Sequence, residues 1–542
     1  MKLLFSACFL SLVLTGTFSG YLISVDSTSS NTKETQIDFG SSQSDGSLIL
    51  SPSLRRPVKT QPKQSKTPPE FVEVSKLIQT QMVARAIPSI SIAVARQGKI
   101  IWEEAFGFAD KENGIRANPA TMYYVASVTK TFTATAIKVL EERHQIDLDR
   151  PIDAYIAPLH LSSPFWNTKE ATVRRVATHM AGLTTFGRNC WADQPNCRVS
   201  PEETIARYGI VFWPPGDHFD YSNLGYGILG EAIHRVSSKS YADFMSDEIF
   251  RPLGMNHASV GIGPGFEKYA AVRYSMINGR RPIAYSASPG ASGIYCSAHD
   301  LALFGMFHLR EHVAKQKAIL SDKTIEMMQN STVPAGGSSR YGFGWWVNED
   351  LNGYRGLLAQ GGTDDAMAFL QLIPSEKIAV VMLTNTGDEF PPKVVDEILS
   401  VLLPPYKLKR SNASNARSAQ PKDYRKPAAS LVGNWMGKVR TYRGDVPLTI
   451  SISDSGEVQA TVSSADSQPV GRFEFSENGL TGRLTGNLSL GTTEDTGPEP
   501  YDLDFELYLK GAMLYGSTTT RPRPGARHGA RLSYWVELTK VR

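Results

Sequence analysis

The chain has 542 residues and a formal net charge of +4, and 41% of its residues are hydrophobic and 20% charged. This length is enough for about two to four folded domains of roughly 150 residues each. The small charge is spread over the whole chain, and no basic stripe carries interleaved aromatic residues. The composition therefore argues against a nucleic-acid-binding protein.

The N-terminal segment has the layout of a secretory signal peptide. A positive start at Lys2 precedes an apolar run over residues 3–14, and small residues follow up to Gly20. We therefore predict that residues 1–20 are a signal peptide and that the protein is exported, either to a periplasm or to the medium. Because residues 3–24 carry no charge and about 20 apolar residues can span a bilayer, an N-terminal membrane anchor is the alternative.

Composition divides the rest of the chain into two linkers and two folded regions. Residues 21–69 and 406–427 are polar, with many Ser, Pro and basic residues, so we predict that both are linkers and that the first is disordered. Residues 70–405 combine helical and strand patterns. Residues 428–542 have no helical pattern.

Strand patterns stand at both ends of the 70–405 region. Ile90–Val94 and Ile100–Trp102 are separated by a tight polar turn, and Ala368–Ile373 and Ile378–Leu383 are separated by a similar one. Helical and loop-rich sequence lies between the two pairs. The pattern predicts an α/β (α+β) domain whose antiparallel sheet takes strands from both ends of the region and is flanked by helices, with a helical insert.

The 428–542 region alternates apolar and polar residues. One example is the run Leu503, Phe505, Leu507, in which acidic residues occupy the positions between. Short alternating strands with Gly, Asp and Asn turns predict an all-β domain, a small lipocalin-like barrel.

Four cysteines occur in the chain, too few for a disulfide-stapled scaffold or a Cys-rich zinc module. Cys190 and Cys197 bracket a short polar loop and could form a local disulfide in an oxidising compartment, and two free thiols are the alternative. Cys296 stands in an apolar stretch and is interpreted as a small core residue.

The first chemical pattern is Ser127-x-x-Lys130, followed by apolar residues at helical spacing. Residues three apart lie on one face of a helix, so the hydroxyl and the amine can meet. The start of a helix also offers unpaired N–H groups and a partial positive charge that favour a developing oxyanion. The pattern is short enough to occur by chance, and a Ser N-cap with a surface Lys is the alternative.

Two further patterns add possible partners for this pair. Tyr221 and Asn223 flank Ser222 ahead of a helical segment; a phenol can exchange a proton, and an amide can orient a lysine or a substrate carbonyl. Gln360-Gly361-Gly362-Thr363 leads into the strand at Ala368, and paired glycines let a substrate lie close to a strand. The alternatives are an ordinary turn and a glycine hairpin.

Taken together, these segments resemble the serine β-lactamase and penicillin-binding-protein superfamily. The branch that the chain resembles contains class C β-lactamases, D-alanyl-D-alanine carboxypeptidases and β-lactamase-like esterases. The resemblance extends over about 70–403, because further segments match in the same order: Val173–Leu183, Ile249–Met255, Ser292–Leu301 and Tyr341–Trp346.

The resemblance implies a role for each matching residue. Ser127 is the nucleophile, Lys130 activates it, Tyr221 is the general base and acid, and Asn223 positions Lys130 and the substrate. The backbone N–H groups of Ser127 and Thr363 form the oxyanion hole. No metal or organic cofactor is expected. His179 is interpreted as a structural histidine of a loop.

The third motif departs from the family pattern. Relatives have Lys or His where this chain has Gln360, which can form hydrogen bonds but carries no charge. Residues 360–362 are therefore expected to bind substrate without attracting a carboxylate; the alternative is that an arginine elsewhere in the site supplies the missing charge. The leading hypothesis is a hydrolase of small esters, amides or D-amino-acid peptides. A β-lactamase or carboxypeptidase acting on peptidoglycan, and a catalytically weak penicilloyl-binding or scaffold protein, are the alternatives.

Overall fold

The computed structural model describes residues 67–194, 199–388, 390–407, 426–462, 468–469, 473–484, 501–523, 526 and 529–541. The predicted signal peptide, nearly all of the first predicted linker and most of the second lie outside the described residues, and so does Cys197. Within these described ranges, no helix is both long and apolar enough to cross a membrane.

Sixteen strands are described in the first folded region. In chain order they are β1 (Ser89–Arg96), β2 (Lys99–Asp110), β3 (Ile115–Arg116), β4 (Met122–Tyr124), β5 (Asn189–Trp191), β6 (Ala258–Val260), β7 (Tyr274–Ser275), β8 (Gly279–Arg280), β9 (Ala284–Ser286), β10 (Ile294–Ser297), β11 (Val333–Pro334), β12 (Ser339–Tyr341), β13 (Trp346–Leu351), β14 (Tyr354–Thr363), β15 (Ala366–Ile373) and β16 (Ile378–Thr384).

Nine of these strands form one antiparallel sheet in the order β11-β12-β13-β14-β15-β16-β1-β2-β3. Strands from the two ends of the region meet where β1 pairs with β16, with Ala93 opposite Val381. The turn between β1 and β2 places Gln97 and Gly98 at positive φ, as a tight hairpin with right-handed twist requires. Smaller sheets join β4, β10 and β6, β5 with β9, and β7 with β8.

The helices of this region are α1 (Val72–Ala84), α2 (Thr129–Glu142), α3 (Asp153–Ile156), α4 (Val173–Ala177), α5 (Pro201–Tyr208), α6 (Asn223–Ser237), α7 (Tyr241–Phe244), α8 (Pro289–Ser292), α9 (Ala298–His308), α10 (Asp322–Asn330) and α11 (Pro391–Leu402). A π-helical segment, Met245–Phe250, follows α7, and 3₁₀ turns lie at Pro69–Phe71, Ala126–Val128, Thr168–Glu170 and Pro374–Glu376.

Helices cover both faces of the large sheet. Ile90, Ile92 and Val94 of β1 pack in one core with α1 and α11. Ala93 and Ala95 face the opposite core, which contains α2 and α9. Because neither face is left to water, the central strands are almost continuously apolar. The predicted α/β class, the mixed origin of the sheet and the helical insert are confirmed.

The second region folds into one antiparallel sheet of nine strands in the order β20-β19-β18-β17-β25-β24-β23-β22-β21. The strands are β17 (Gly433–Thr441), β18 (Gly444–Ile452), β19 (Val458–Val462), β20 (Gln468–Pro469), β21 (Phe473–Ser476), β22 (Gly479–Leu484), β23 (Tyr501–Lys510), β24 (Met513–Pro522) and β25 (Ser533–Lys540). Leu503, Phe505 and Leu507 of β23 are buried as their alternation predicts. The sheet confirms the all-β prediction and is consistent with a barrel-type domain.

An aromatic cluster joins the second sheet to the first region. Phe212 and Trp213 pack against Tyr515 and Trp535 in one small core. The Trp213 and Tyr508 rings meet edge to face with their centroids 5.1 Å apart. This contact lies a few residues from Tyr221 in the sequence, so the second sheet packs beside the segment that carries a candidate catalytic residue.

Candidate active site

Ser127 stands in a strained turn between β4 and α2. The 3₁₀ turn Ala126–Val128 leads directly into α2. Ala126 has φ +45°, a left-handed conformation that is costly for a residue with a Cβ and that is found mainly where the surrounding structure enforces it. Ala126 and Val128 are buried, whereas Ser127 is partly exposed. The turn therefore presents Ser127 to the pocket from a rigid base.

Lys130 lies one helical turn further along and is 1% exposed, which rules out the surface lysine that was the alternative. Its Nζ is 3.0 Å from Ser127 Oγ, 2.6 Å from Asn223 Oδ1 and 3.1 Å from the carbonyl oxygen of Ala291. Burial holds the pKa of Lys130 well below its ordinary value, because the charged ammonium loses its hydration.

Tyr221 and Asn223 reach the same place from the start of α6. Asn223 accepts a hydrogen bond from Lys130 and donates from Nδ2 to the carbonyl of Phe186 over 2.7 Å. The Lys130 Nζ lies 4.8 Å from the centroid of the Tyr221 ring, which stacks on Trp346. Burial raises the pKa of Tyr221, and a hydrogen bond with Ser127 opposes that shift. The structure thus brings together the four residues predicted to be catalytic.

His179 holds the Tyr221 segment on both sides. Its carbonyl accepts from the Asp220 N–H over 2.9 Å, and its Nδ1 lies 3.0 Å from the Ser222 backbone nitrogen, which donates to it. Burial and the nearby Lys130 lower the pKa of His179, so the ring is neutral and can accept at Nδ1. The histidine therefore serves structure, and its effect is to position Tyr221.

Gly361 in β14 explains part of the third motif. A Cβ on Gly361 would lie 2.3 Å from the carbonyl oxygen of Val125 and 2.5 Å from the backbone nitrogen of Ser127. Glycine is needed here so that the strand can pack against the nucleophile turn. The sequence predicted that both glycines leave room for a substrate. This role fits Gly362, which is exposed and lines the pocket.

A pocket opens beside Ser127; its volume is about 490 Å³ when the open mouth is included. Its enclosed volume is about 130 Å³, below the roughly 300–1,000 Å³ that is usual for sites that bind drug-sized molecules. Its lining residues are Tyr124, Ala126, Ser127, Phe186, Gly187, Arg188, Asn189, Asn223, Ser286, Ser288, Ser292, Gly362 and Thr363. None of these is acidic, and hydroxyl and amide groups predominate.

The pocket contains some predicted residues and not others. Ser127, Asn223, Gly362 and Thr363 line it, whereas Gln360 is not among its described lining residues. Sequence reasoning missed two parts of the wall: the segment 186–189, and the serines at 286, 288 and 292. These residues belong to loops, to two strands of three residues and to the four-residue helix α8, all of which are too short to give a periodic signal in the sequence.

Thr363 is held by a buried ionic cluster. Its hydroxyl donates to Asp365 Oδ1 over 2.6 Å, and the same oxygen accepts from Arg273 Nη2 over 2.6 Å. Asp365 is fully buried, and Arg281 lies 3.7 Å from its other oxygen. The cluster fixes the end of β14 beside Ser127.

The cysteine predictions have different outcomes. Cys190 is disulfide-bonded, while its predicted partner Cys197 lies outside the described residues. Cys296 is free and fully buried, as expected for a core residue.

One group of possible metal ligands occurs among the described residues, although no metal-binding motif is evident in the sequence. Packing of α5 on α6 brings ligand atoms of Glu202, Glu231 and His234 within 4.8 Å of one another. Arg235 Nε lies 2.5 Å from Glu231 Oε1, so this carboxylate is already paired with a cation. The group lies apart from the pocket and is not assigned a function.

A family model described as Beta-lactamase matches residues 74–403. Because this range is more than half of the 542 residues, the chain belongs to the β-lactamase family. The resemblance inferred from the ordered motifs is thereby confirmed.

Individual relatives are distant. Protein Flp of Staphylococcus aureus (strain N315) is 25% identical over 334 residues, which are 60% of this chain and 65% of Flp. The alignment thus spans a little less than two thirds of Flp's own length.

Two solved structures show the fold beyond the family range. A penicillin-binding protein homologue from Pyrococcus abyssi, described as octameric, has a TM-score of 0.54 and 24% identity, covering 85% of this chain and 99% of its own. The structure of SurE with D-Leu has a TM-score of 0.55 and 22% identity, covering 87% and 99%.

The close approach of Gly361 to the nucleophile turn yields a first prediction. Gly361→Ala forces β14 away from Ser127 and lowers acylation of Ser127 by about 100-fold, the scale of a misplaced reacting group. Gly263→Ala is the matched control, because a Cβ there would meet nothing within 4 Å and Gly263 does not line the pocket. The measurement is the rate of Ser127 acylation by an ester or β-lactam probe. Equal rates for the two variants would contradict the packing role of Gly361.

Asp220 yields a prediction on stability. It accepts from Trp213 Nε1 over 3.2 Å, and burial, together with the charge of Glu506 in β23, raises its pKa from 3.8 to about 7. Because the folded state resists ionisation, this carboxyl destabilises the fold progressively as the pH rises from about 4 to 7. Asp220→Asn should raise the Tm by about 2–4 °C at pH 8 and by less than about 1 °C at pH 4.5. Thermal unfolding at both pH values tests this; a gain that does not depend on pH contradicts it.

Proposed function

We propose that this chain is a serine hydrolase that forms an acyl-enzyme on Ser127 and acts on small esters, amides or D-amino-acid peptides. One observation carries the proposal: a buried Lys130 amine lies 3.0 Å from Ser127 Oγ and within hydrogen-bond distance of two carbonyl-type oxygens. A hydroxyl nucleophile needs an adjacent base, and this geometry supplies one.

Lys130 Nζ donates to the oxygens of Ser127, Asn223 and Ala291 in the structure, and an uncharged amine can keep two of these three hydrogen bonds. Such an amine has two N–H donors, which the oxygens of Asn223 and Ala291 accept, and one lone pair, which can accept the Ser127 hydroxyl proton. Burial lowers the pKa of Lys130, which favours this form. Lys130 therefore takes the proton of Ser127 as the hydroxyl attacks a carbonyl carbon.

Tyr221 is better suited to donate a proton than to remove one. The family pattern makes this residue the general base and acid, and burial favours the acid role because it raises the pKa of the phenol and so disfavours the phenolate. A protonated Tyr221, hydrogen-bonded near Ser127, can deliver its proton to the leaving group and recover it from Lys130. This division of work matches the opposite pKa shifts of the two groups.

The developing oxyanion is assigned to the backbone N–H groups of Ser127 and Thr363. Both residues line the pocket, and Ser127 precedes the N-terminus of α2, where the helix dipole favours negative charge. Packing of Gly361 on the nucleophile turn keeps β14, which carries Thr363, beside Ser127. Water then attacks the acyl carbon, and Lys130 accepts one proton of the water. As the bond from Ser127 Oγ to the acyl carbon breaks, that proton passes to Oγ and the acid product leaves.

The pocket lining offers hydrogen-bonding groups to a polar substrate backbone, and Arg188 adds one cationic side chain. Asn223, Asn189 and the serine hydroxyls offer donors and acceptors for ester, amide or peptide groups. The structural neighbour SurE was solved with D-Leu, which supports D-amino-acid peptides as one substrate class. Membership of the β-lactamase family supports β-lactams as the second candidate class.

Export of the protein is part of the same proposal. The signal-like N-terminal segment supports it, and the disulfide of Cys190 supports an oxidising compartment, where such bonds persist.

Three probes test the activity: a short-chain nitrophenyl ester, nitrocefin and a fluorescent penicillin. We expect ester turnover by the wild type, at least about 1,000-fold reduced in Ser127→Ala and unchanged in Ser331→Ala, an exposed serine outside the pocket. Nitrocefin turnover without ester turnover would assign the chain to the β-lactamase alternative. A folded wild type that neither labels nor turns over any probe would favour the binding or scaffold alternative.

The role of Lys130 predicts a pH dependence. As pH rises, Lys130 loses its proton and becomes a base, so kcat/KM for the ester should rise along an acidic limb. Lys130→Arg, which stays charged, should lower kcat/KM by about 100- to 10,000-fold and remove the limb. The pKa of Asp220 is raised to about 7, so this carboxyl could produce a limb of its own; Asp220→Asn is therefore the control and should keep the limb. A limb that disappears in Asp220→Asn would instead assign it to the carboxyl.

A further inference from the structure

We propose that the second sheet positions the catalytic pair Lys130 and Asn223 and shapes the substrate pocket, by holding a wall segment formed by residues 184–189. Ser533 and the backbone of Arg531 are the positioning groups. The proposal rests on the function proposed for Ser127 in its kinetic consequences, but its structural part can be tested without any activity.

The second sheet forms hydrogen bonds with the backbone of the wall segment. The Gly187 N–H donates to the carbonyl of Arg531 over 2.8 Å, and the Arg531 N–H donates back to Gly187 over 2.7 Å. The Ser533 hydroxyl, which is 5% exposed, donates to the carbonyl of Thr185 over 2.9 Å. Two residues of the wall are thus paired with the chain just before β25 and at its start.

The start of helix α6 forms hydrogen bonds with the other side of the same segment. The Ser222 hydroxyl donates to the carbonyl of Thr184 over 2.8 Å, and Asn223 Nδ2 donates to the carbonyl of Phe186 over 2.7 Å. The same Asn223 accepts from Lys130. Successive carbonyls therefore point alternately to α6 and to the second sheet, as in an extended strand between two partners.

Aromatic packing supports this connection. The Phe186 ring lies 5.2 Å from Tyr208 of α5, and Tyr208 lies 6.0 Å from Tyr534 of β25, measured between ring centroids. Phe186, Gly187 and Arg188 all line the pocket. Displacement of β25 from the wall segment would therefore move the pocket wall.

The consequence for catalysis follows from the chain of contacts. Ser533 and Arg531 hold the wall segment, the wall segment holds Asn223, and Asn223 holds the buried Lys130. A loosened wall segment admits water to Lys130, which relieves the desolvation that lowers the pKa of this amine. It also widens the pocket at residues 186–188. Both the pH dependence and the preference for acyl size should change together.

Ser533→Ala tests the side-chain contact. We expect the acidic limb of kcat/KM to move to higher pH by about 0.3–0.5 unit and the preference between short and bulky acyl esters to change about threefold or more. Ser533→Thr, which keeps the hydroxyl, should restore both. Thr539→Ala is the matched control, because Thr539 lies on the same strand and donates to the Met436 carbonyl inside the sheet.

A second pair of variants tests the backbone contact. Arg531→Pro removes the N–H that donates to Gly187, whereas Arg531→Ala removes only the side chain. Hydrogen exchange of the peptide that contains residues 184–189, followed by mass spectrometry, should be at least about threefold faster in Arg531→Pro than in Arg531→Ala or the wild type.

The outcomes separate this proposal from the proposed function. Faster exchange in Arg531→Pro supports the contact between the second sheet and residues 184–189, even if no ester or β-lactam is turned over. Unchanged exchange in a folded Arg531→Pro variant overturns it. Unchanged exchange, pH limb and acyl preference in Ser533→Ala, in an enzyme that still depends on Ser127, overturns the positioning role and leaves the hydrolase proposal standing.

Discussion

The burial of one amine organises this molecule. Lys130 Nζ lies among Ser127 Oγ, Asn223 Oδ1 and the Ala291 carbonyl, and almost none of the side chain meets water. A buried ammonium is costly, so the surroundings favour the free amine. We attribute to this constraint both the reactivity of Ser127 and the need for a rigid frame, since a flexible site would let water restore the charge.

The frame around Lys130 comes from distant parts of the chain. The large sheet places β14 against the nucleophile turn, where only glycine fits at position 361. Helix α6 supplies Asn223, and His179 fixes the segment before it through the backbone of Asp220 and Ser222. The second sheet reaches the same site through residues 184–189. The hydrogen bonds among these contacts keep polar groups paired as water is excluded.

The sequence allowed the strands, the helix after Ser127 and the family to be predicted, because their signals are local or ordered along the chain. Ile90 and Ile92 alternate with Ser91 and Ala93, and Ser127 and Lys130 are one helical turn apart. The packing of Gly361, the pairing of Gly187 with Arg531 and the lining by Arg188 were not predictable. They join residues far apart in sequence through loops without periodicity, and the proton roles of Lys130 and Tyr221 depend on burial that only the fold defines.

The most direct test of the account is the titration of Lys130 itself. The ¹³Cε and ¹⁵Nζ resonances of labelled protein can be followed against pH and assigned by comparison with Lys130→Arg. The account predicts a midpoint well below the ordinary value of 10.5, with the amine uncharged at the pH where Ser127 is acylated. A midpoint near 10.5 would contradict it, since Lys130 would then be a cation and could not take the proton of Ser127.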